Sequence, residues 1–514
     1  MKGKHIALLA CLIAIAVVFS GCGGGNQSAA ASGKDTLIVA MMSQGPSLDP
    51  SMTNDNASSR VMKQIYETLI NLDADMAPQP SLAERWAFEN DAAGNPTRLR
   101  LFLKRGVRFH NGDELKASDV KFTLDRAAVS PHIGHITGMI ESVTVVNDYE
   151  VLISLPYPFA PILNHLGHTA TSIVSQRAVT ELGDRHGQHP VGTGPMSFVN
   201  WVQGDRIELT RWDSYHGTAP RIKDITIRII TDTATRLLEL ETGGVDLILD
   251  LMAADVSRVN SHPDIQMIRA MNLSTNYIGF NTQKPPFNDV RVRQAVAHAL
   301  DLDAMVRTVY MGTGAPGTGP INSKVWASAA SRLQRFEYNP ARARQLLAEA
   351  GYPNGFNTTF STNDNPQRID SGEILANMLR QVGINVDVRI IEWGAYLDMT
   401  SRGEQDMYML GWVTVTGDPD YGLHATFHSD NFGAPGNRSF YSNPVVDRLL
   451  DDARKETNLQ RREQLYFEAQ QIIRDEAPWI FQWAGEDLTA ARNNLRGFQL
   501  HPAGHHPLWT IYFE

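Results

Sequence analysis

The chain contains 514 residues, of which 42% are hydrophobic and 20% are charged. A chain of this length is too long for one hydrophobic core, so we expect two or three lobes. Its 56 acidic and 46 basic side chains give a formal net charge of -10 at pH 7, and the sequence has no basic run that could follow a phosphate backbone. Nucleic acid is therefore not an expected partner.

The first residues are typical of an export signal. Lys2 and Lys4 precede an apolar run over residues 6–19, which small residues and Cys22 follow. This run is shorter than the roughly 20 apolar residues that span a bilayer. Residues 1–21 are therefore predicted to be a signal peptide.

Cys22 is the expected point of membrane attachment. The ending Phe-Ser-Gly-Cys resembles the bacterial lipobox, which implies a lipid on Cys22; the alternative is a plain signal peptide that is cut elsewhere. Residues 22–33 are small and polar, which is typical of a flexible tether. Because the other cysteine, Cys11, lies inside the signal, no disulfide is expected after export. We expect an extracytoplasmic protein on the periplasmic side or the outer face of a bacterial membrane.

The remaining chain alternates strand-like and helix-like patterns, which predicts an α/β fold. Residues 36–42 alternate as a strand, residues 58–72 carry apolar side chains at helical spacing, and residues 98–109 are predicted to form two strands around a turn at Gly106. No apolar run long enough to cross a membrane follows the signal.

Later helices are marked by their end residues. Asn339 and Pro340 suit the start of a helix, and Gly351 suits its left-handed end. The strand patterns at 356–362 and 385–391, with a helical pattern between them, predict a βαβ unit. A parallel sheet with crossover helices is therefore expected in this part of the chain.

Several motifs occur in one order along the whole mature chain, and together they resemble the extracytoplasmic solute-binding proteins, family 5, of peptide and nickel ABC importers. The lipobox is followed by "SLDP" (47–50), "VGTGPMSFVNW" (191–201), "YIGFNTQKPPFNDVRVRQAVAHALD" (277–301), "EAGYPNGF" (349–356) and "DEAPWIF" (475–481).

The resemblance implies a two-lobed clamshell of the class II binding-protein type with an inserted extra domain. It implies a monomer that closes over a solute and delivers it to the permease of an ABC transporter. The implied boundaries are 34–78, 191–275 and 487–514 for lobe I, 79–190 for the extra domain, and 276–486 for lobe II.

Cofactor and catalytic motifs do not support an enzyme. Residues 312–317, "GTGAPG", follow a predicted helix and contain a proline, so they do not form a dinucleotide-binding turn. There is no Gly-x-Ser-x-Gly and no His-Glu-x-x-His motif. No cofactor is expected.

A metal site built by the protein is also not expected. The chain has 16 histidines. No acid or cysteine accompanies the histidine groups at the spacing of metal ligands, so surface or packing roles are favoured. These groups are His165 with His168, and His501 with His505 and His506.

Asp418 and Asp420 stand in the stretch "GWVTVTGDPDYG" (411–422). Two carboxylates this close could serve acid/base chemistry, but Pro419 and Gly417 favour a turn. An exported hydrolase that uses this pair is the rival hypothesis to a binding protein.

The resemblance adds an argument about Val415. Dipeptide and oligopeptide binders carry, three residues beyond the tryptophan, an aspartate that pairs with the α-ammonium of the ligand, and here that position is Val415. The stretch is similar to glutathione binders and related oligopeptide binders, which implies that Thr416, Asp418 and Asp420 form a ligand-facing turn. Three alternatives stay open: Asp418 or Asp420 takes the ammonium, the amine lies elsewhere, or the ligand has none.

The resemblance also implies further ligand contacts. Tyr277 is expected to place its ring against the ligand, and the backbone amides of Gly411 and Trp412 to bind it regardless of its sequence. Arg368 and Arg438 could pair with its carboxylate, and Tyr441 could stack on it. We therefore predict a receptor for oligopeptides or glutathione-like peptides, with a nickel chelate or another small solute as the alternative.

Overall fold

The computed structural model describes residues 34–514, so the predicted signal peptide, the tether and Cys22 lie outside the described residues. No helix of the described part combines the length and the apolar character that crossing a membrane requires.

The strands have the following bounds: β1 (Thr36–Met41), β2 (Ile70–Leu72), β3 (Pro78–Pro80), β4 (Ala83–Glu89), β5 (Arg98–Leu103), β6 (Ser142–Asn147), β7 (Glu150–Ser154), β8 (Met196–Val202), β9 (Arg206–Arg211), β10 (Asp224–Ile229), β11 (Leu247–Ile248), β12 (Ile265–Phe280), β13 (Ala315–Pro316), β14 (Phe356–Asn363), β15 (Ile384–Ile391), β16 (Met407–Val413), β17 (Trp479–Arg492), β18 (Leu495–Arg496) and β19 (Tyr512–Phe513).

The α-helices have the following bounds: α1 (Asn56–Ile65), α2 (Ala117–Ala128), α3 (Gly134–Thr137), α4 (Ile162–His165), α5 (Gln176–Leu182), α6 (Thr233–Thr242), α7 (Val256–Ser261), α8 (Val290–Ala299), α9 (Leu302–Tyr310), α10 (Pro340–Glu349), α11 (Pro366–Arg380), α12 (Trp393–Ser401), α13 (Pro419–Phe427), α14 (Pro444–Lys455) and α15 (Leu459–Glu476).

One 11-stranded sheet organises most of these elements, in the order β15-β14-β16-β12-β17-β11-β1-β10-β9-β8, with β13 also paired to β17. β12 and β17 are its longest members and pair antiparallel along their lengths, with an irregular register between Met271 and Thr275. On one side of this pair β12 continues to β16, and on the other side β17 continues to β11. The two long strands therefore connect the two halves of the sheet.

A separate four-stranded sheet, β4-β5-β7-β6, lies in the segment predicted as the extra domain. Its buried side chains form a core drawn from residues 69–173. A second core draws on residues 37–66, 174–249 and 491–511, and two further cores draw on residues 273–481. Each core thus has its own set of segments, and those of the second core are far apart in the sequence.

The βαβ prediction is confirmed: β14 and β15 are parallel and α11 lies between them in the chain. The helix predicted over 58–72 is too long, because α1 ends at Ile65 and the chain continues into β2. The second strand predicted after Gly106 is also wrong. Residues beyond β5 form only a single bridge between Arg108 and Glu114.

Candidate functional site

A cavity of about 480 Å³ opens at the carboxyl ends of several strands of the large sheet. Its wall includes the segments that directly follow β1, β11 and β14, together with the end of β16. Ligands of open α/β sheets bind outside the carboxyl ends of the strands, and the volume lies within the about 300–1,000 Å³ typical of ligand sites. This cavity is therefore the candidate binding site.

The cavity collects some of the predicted site residues and leaves others outside. The residues that line it are Tyr277, Arg368, Gly411, Trp412, Val415 and Arg438. The remaining four, Thr416, Asp418, Asp420 and Tyr441, do not line it, and their contacts lie elsewhere.

Gly411 presents its backbone to the cavity. Met409, two residues earlier on β16, exchanges hydrogen bonds with the Tyr396 hydroxyl: its amide donates at 3.2 Å and its carbonyl accepts at 2.7 Å. Backbone direction alternates along a strand, so the peptide groups of Gly411 face this same side, away from β12. A Cβ at Gly411 would lie 2.7 Å from Asn276 Oδ1, so a side chain at this position would crowd Asn276. The glycine avoids this contact and leaves its backbone accessible to a ligand.

Trp412 and Tyr277 contribute rings rather than backbone amides. By the same alternation the Trp412 amide faces its ladder partner Thr275 on β12, so the expected amide contact from Trp412 is wrong. Its half-buried indole donates to the Tyr421 carbonyl at 3.2 Å. Tyr277 is 1% exposed and stacks on Trp479 with ring centroids 3.4 Å apart, so most of its ring is packed in the core.

Arg368 and Arg438 are the cavity arginines that the sequence predicts. Arg368 is half-buried and donates from Nη1 to Asn363 Oδ1 at 2.9 Å. Arg438 is buried and donates to the Leu397 carbonyl and to the Thr400 hydroxyl, and burial lowers the pKa of its guanidinium. Within residues 34–514, neither arginine forms a salt bridge with a carboxylate. Both can therefore donate hydrogen bonds to the carboxylate of a ligand.

Asp418 is bound inside the protein instead of facing a ligand. Its Oδ1 accepts from the Asp420 amide at 2.9 Å, which caps α13. Both carboxylate oxygens also accept from Arg462, at 2.7 and 2.8 Å. The turn that the sequence predicts is thus a helix cap closed by a buried ion pair, and the ligand-facing role expected of Asp418 is wrong.

Asp420 is also bound inside the protein, by Arg454 and His165. Its two oxygens accept from Arg454 at 3.1 and 3.0 Å, and His165 Nε2 lies 3.1 Å from Oδ2. Burial opposes its ionisation, but the charge of Arg454 and the contact with His165 outweigh burial and hold the pKa of the Asp420 carboxyl well below its usual value. His165 belongs to α4, so Asp420 joins the segment predicted as lobe II to the segment predicted as the extra domain, residues 79–190.

Thr416 and Tyr441 also have structural contacts. The Thr416 carbonyl accepts from Asn164 at 2.8 Å, and its side chain is fully buried. The Tyr441 hydroxyl donates to Glu476 at 2.6 Å. The stacking role predicted for Tyr441 does not fit this position.

Val415 is 8% exposed and packs with Tyr421, Ala170 and Met76. This cluster contains no acidic side chain, so it offers no carboxylate to an ammonium group. Position 415 therefore lacks an amine anchor, as the sequence predicts.

A group of charged residues from distant parts of the chain was missed. Arg60, Asp250 and Asp487 line the cavity beside Asn272 and His506. No local pattern marks them, because α1, the segment after β11 and β17 are far apart in the sequence. Asp250 has a φ of 66°, a strained value for a residue that is not glycine, which places it at a site where the backbone is constrained.

Histidines form a buried part of the same wall. Burial lowers the pKa of His168 to about 3 and that of His506 to about 3, and it lowers the pKa of His505 well below its usual value. These imidazoles are therefore neutral at pH 7.

Among the described residues, one cluster has the spacing of a metal site: His424, His428 and Asp451. The Nδ1 atoms of the histidines accept from Asn431 Nδ2 and from the Asp430 amide, both at 3.1 Å. Each Nε2 therefore carries the proton, 3.5 or 3.6 Å from Asp451 Oδ1. A metal on Nε2 would require the proton on Nδ1, where it would face the N–H donors of Asn431 and Asp430, so we assign no metal to the cluster.

Residues 77–434 match the bacterial extracellular solute-binding proteins, family 5 middle region. The glutathione-binding protein GsiB of Pectobacterium atrosepticum is 32% identical over 476 residues, which cover 90% of this chain and 91% of that protein.

Solved structures agree with this similarity. The chain superposes on DppA of Helicobacter pylori, in complex with the peptide STSA, with a TM-score of 0.88 and 28% identity, covering 94% of this chain and 98% of the other. The chain also superposes on AppA of Bacillus subtilis, in complex with a nonapeptide, with a TM-score of 0.87 and 26% identity. This match covers 94% of this chain and 99% of the other. The predicted α/β two-lobed binding-protein fold is confirmed. The chain belongs to family 5 of the bacterial extracellular solute-binding proteins.

Proposed function

We propose that the protein captures a peptide-like solute, an oligopeptide or a glutathione-like peptide, and delivers it to the permease of an ABC transporter. The observation that carries this proposal is the pairing, in one cavity, of an open backbone edge at Gly411 with two arginines that have no carboxylate partner in the described chain. A peptide offers the complementary groups: backbone amides along its length and a carboxylate at its end.

The relatives support the same class of solute. GsiB is a glutathione-binding protein, and the DppA and AppA structures contain peptides of different lengths. In this proposal Arg368 and Arg438 bind the ligand carboxylate, Gly411 binds backbone, and Trp412, Tyr277 and Val415 shape the wall. Because Gly411 contacts backbone only, side chains of different size can be accepted.

Membrane attachment is part of the proposal. Cys22 carries a lipid that holds the protein on the extracytoplasmic side, and residues 22–33 allow the folded part to reach the permease as a monomer. Replacement of Cys22 by alanine should release the protein from the membrane fraction. Retention of this variant in washed membranes would contradict the anchor.

The rival functions differ in what they need from the site. A hydrolase would use Asp418 and Asp420, yet each carboxylate is held by an arginine and neither lines the cavity. A nickel chelate is the better alternative, because His168, His505 and His506 are on the cavity wall. No metal or cofactor is part of the proposed function.

A titration panel separates these functions. Purified protein, stripped of ligand by unfolding and refolding, is titrated with reduced glutathione, di- to pentapeptides and nickel–histidine in a calorimeter. The proposal expects one equivalent of a peptide to bind and to be recovered unchanged, with a raised melting temperature. Binding of nickel–histidine alone, or recovery of cleaved peptide, would contradict it.

A further inference from the structure

Asp487 is the cavity carboxylate with the weakest internal compensation. It lies on β17 at the wall, and its side chain is 15% exposed. Its Oδ1 accepts one hydrogen bond, from Asn272 Nδ2 at 2.7 Å. The neighbouring Glu486 is instead held by both Nε and Nη2 of Arg269, at 2.6 and 2.7 Å.

The orientation of Asn272 is fixed by its other contacts. Its Oδ1 accepts from the amide and the hydroxyl of Ser274, at 2.9 and 2.6 Å. The amide nitrogen must therefore point away from Ser274 and toward Asp487. This arrangement fixes the carboxylate of Asp487 in one orientation and leaves Oδ2 for another donor.

His506 is too far from Oδ2 of Asp487 to donate a hydrogen bond to it. His506 Nδ1 accepts from the His501 amide at 3.0 Å, so the proton of this imidazole is on Nε2. Nε2 lies 3.9 Å from Asp487 Oδ2, which is beyond hydrogen-bond range. Oδ2 therefore has no hydrogen-bond partner in the part of the chain that the structure describes.

Asp487 has no guanidinium bonded to it among the described residues. Arg60 donates to Asp250 Oδ1 at 2.7 Å and to the Gly504 carbonyl at 3.3 Å, so its guanidinium is already engaged. The charge of Arg60 also acts on Asp487, but the two side chains form no hydrogen bond or salt bridge. Burial raises the pKa of the Asp487 carboxyl, and the charge of Arg60 offsets this only in part. Arg60 thus pairs with Asp250, on which the charge of Arg236 also acts, and Asp487 is left without a bonded guanidinium.

We propose that Asp487 binds a primary ammonium group of the ligand and so replaces the aspartate that is absent at Val415. An ammonium placed at Oδ2 would donate to this open acceptor and would pair with the charge of Asp487. Arg368 and Arg438 lie on segments of the predicted lobe II, whereas Asp487 belongs to predicted lobe I. A zwitterionic peptide would therefore touch both lobes, with its ammonium on one and its carboxylate on the other.

This inference rests on the proposed peptide-binding function, so its test must separate the two. The purified full chain, Asp487→Asn and Asp406→Asn are each titrated in a calorimeter with reduced glutathione, with the peptide Ser-Thr-Ser-Ala, and with the N-acetyl derivative of each. Asp406 is the matched control: it is also half-buried, lies outside the cavity and accepts from Thr359 alone, at 2.7 and 3.3 Å. Asn at position 487 keeps the acceptor for Asn272, so the fold should be retained.

The wild-type protein should bind the free amine about tenfold or more tightly than the acetylated ligand, the factor expected for one charge-assisted hydrogen bond. Asp487→Asn should lose about tenfold or more for the free amine and bind the acetylated form within about threefold of the wild type. Asp406→Asn should match the wild type with both ligands.

Other outcomes overturn the inference in different ways. Equal affinity of the wild type for free and acetylated ligands would mean that no ammonium is recognised, while peptide binding would stand. An amine preference that survives in Asp487→Asn would assign the ammonium to another acid. If no ligand of this panel binds the wild type, the peptide-binding function is wrong and the role of Asp487 falls with it. The affinities of the wild type for free and acetylated ligands show whether an ammonium is recognised, even if Asp487→Asn is unstable.

Discussion

Replacement of Asp418 by asparagine tests whether the acidic turn is structural. The change leaves an oxygen that can still cap α13 by accepting from the Asp420 amide, but it removes the charge that faces Arg462. Asp418 and Arg462 have side chains 10% and 4% exposed, and both lie in the predicted lobe II. The substitution therefore isolates the buried ion pair from the helix cap and from contacts between lobes.

The expected cost follows from this burial. Removal of one partner of a buried, hydrogen-bonded ion pair costs about 3–5 kcal/mol, because the other charge is left without compensation. Loss of the cap would add about 1 kcal/mol, so Asp418→Ala should be less stable than Asp418→Asn. In the double variant Asp418→Asn/Arg462→Met, which removes both charges, part of the stability should return.

Urea unfolding followed by tryptophan fluorescence measures the stability, and calorimetric titration of the folded variant measures ligand affinity. We expect Asp418→Asn to unfold at clearly lower urea while its ligand affinity stays within about threefold of the wild type. A variant with unchanged unfolding and about tenfold weaker binding would refute the structural role. It would indicate that the carboxylate of Asp418 contacts the ligand.

Three further predictions concern the cavity and its histidines. Val415→Asp should destabilise the protein by about 1–3 kcal/mol in urea unfolding, because it puts a charge into an apolar cluster; an unchanged midpoint would contradict this packing. Arg368→Gln should weaken a peptide with a free carboxylate about tenfold and leave its C-terminal amide unaffected, as measured by titration; equal losses would contradict a carboxylate contact. His168 and His506 have folded pKa values of about 3, below the unfolded value of about 6.5, so the stability they confer is complete above pH 6.5 and is lost as the pH falls toward 3. Each should contribute a slope of about 1.4 kcal/mol per pH unit within this window, and urea midpoints that stay constant between pH 7 and pH 5 would contradict their neutral burial.

Local signals predicted the elements whose ends are set by nearby residues. The helix expected after Asn339 is α10: the Asn339 side chain accepts from the Arg342 amide, and Gly351 has a φ of 93°. The helix predicted over 58–72 was too long because its apolar residues continue beyond Ile65 but serve a different core. Its end is fixed by a distant segment, since the Gly194 amide donates to the Ile65 carbonyl.

The site was predictable only where one segment carries it. Gly411, Trp412, Val413 and Val415 line the cavity, in the segment that the family resemblance implies. The partners of Asp418 and Asp420 stand 44 and 34 residues further along, on α15 and α14, so no local pattern could show that these acids are already paired. Asp487 was missed for the same reason: its significance depends on Asn272, which β-sheet pairing brings beside it.

The most direct test of the account is native mass spectrometry of the protein as it is purified, followed by identification of what it releases on unfolding. We predict one peptide-like solute per chain, carrying both a carboxylate and a free amine and recovered intact. Release of a metal chelate or of cleaved products, or a ligand without these two groups, would contradict the central claim that the cavity holds a zwitterionic peptide.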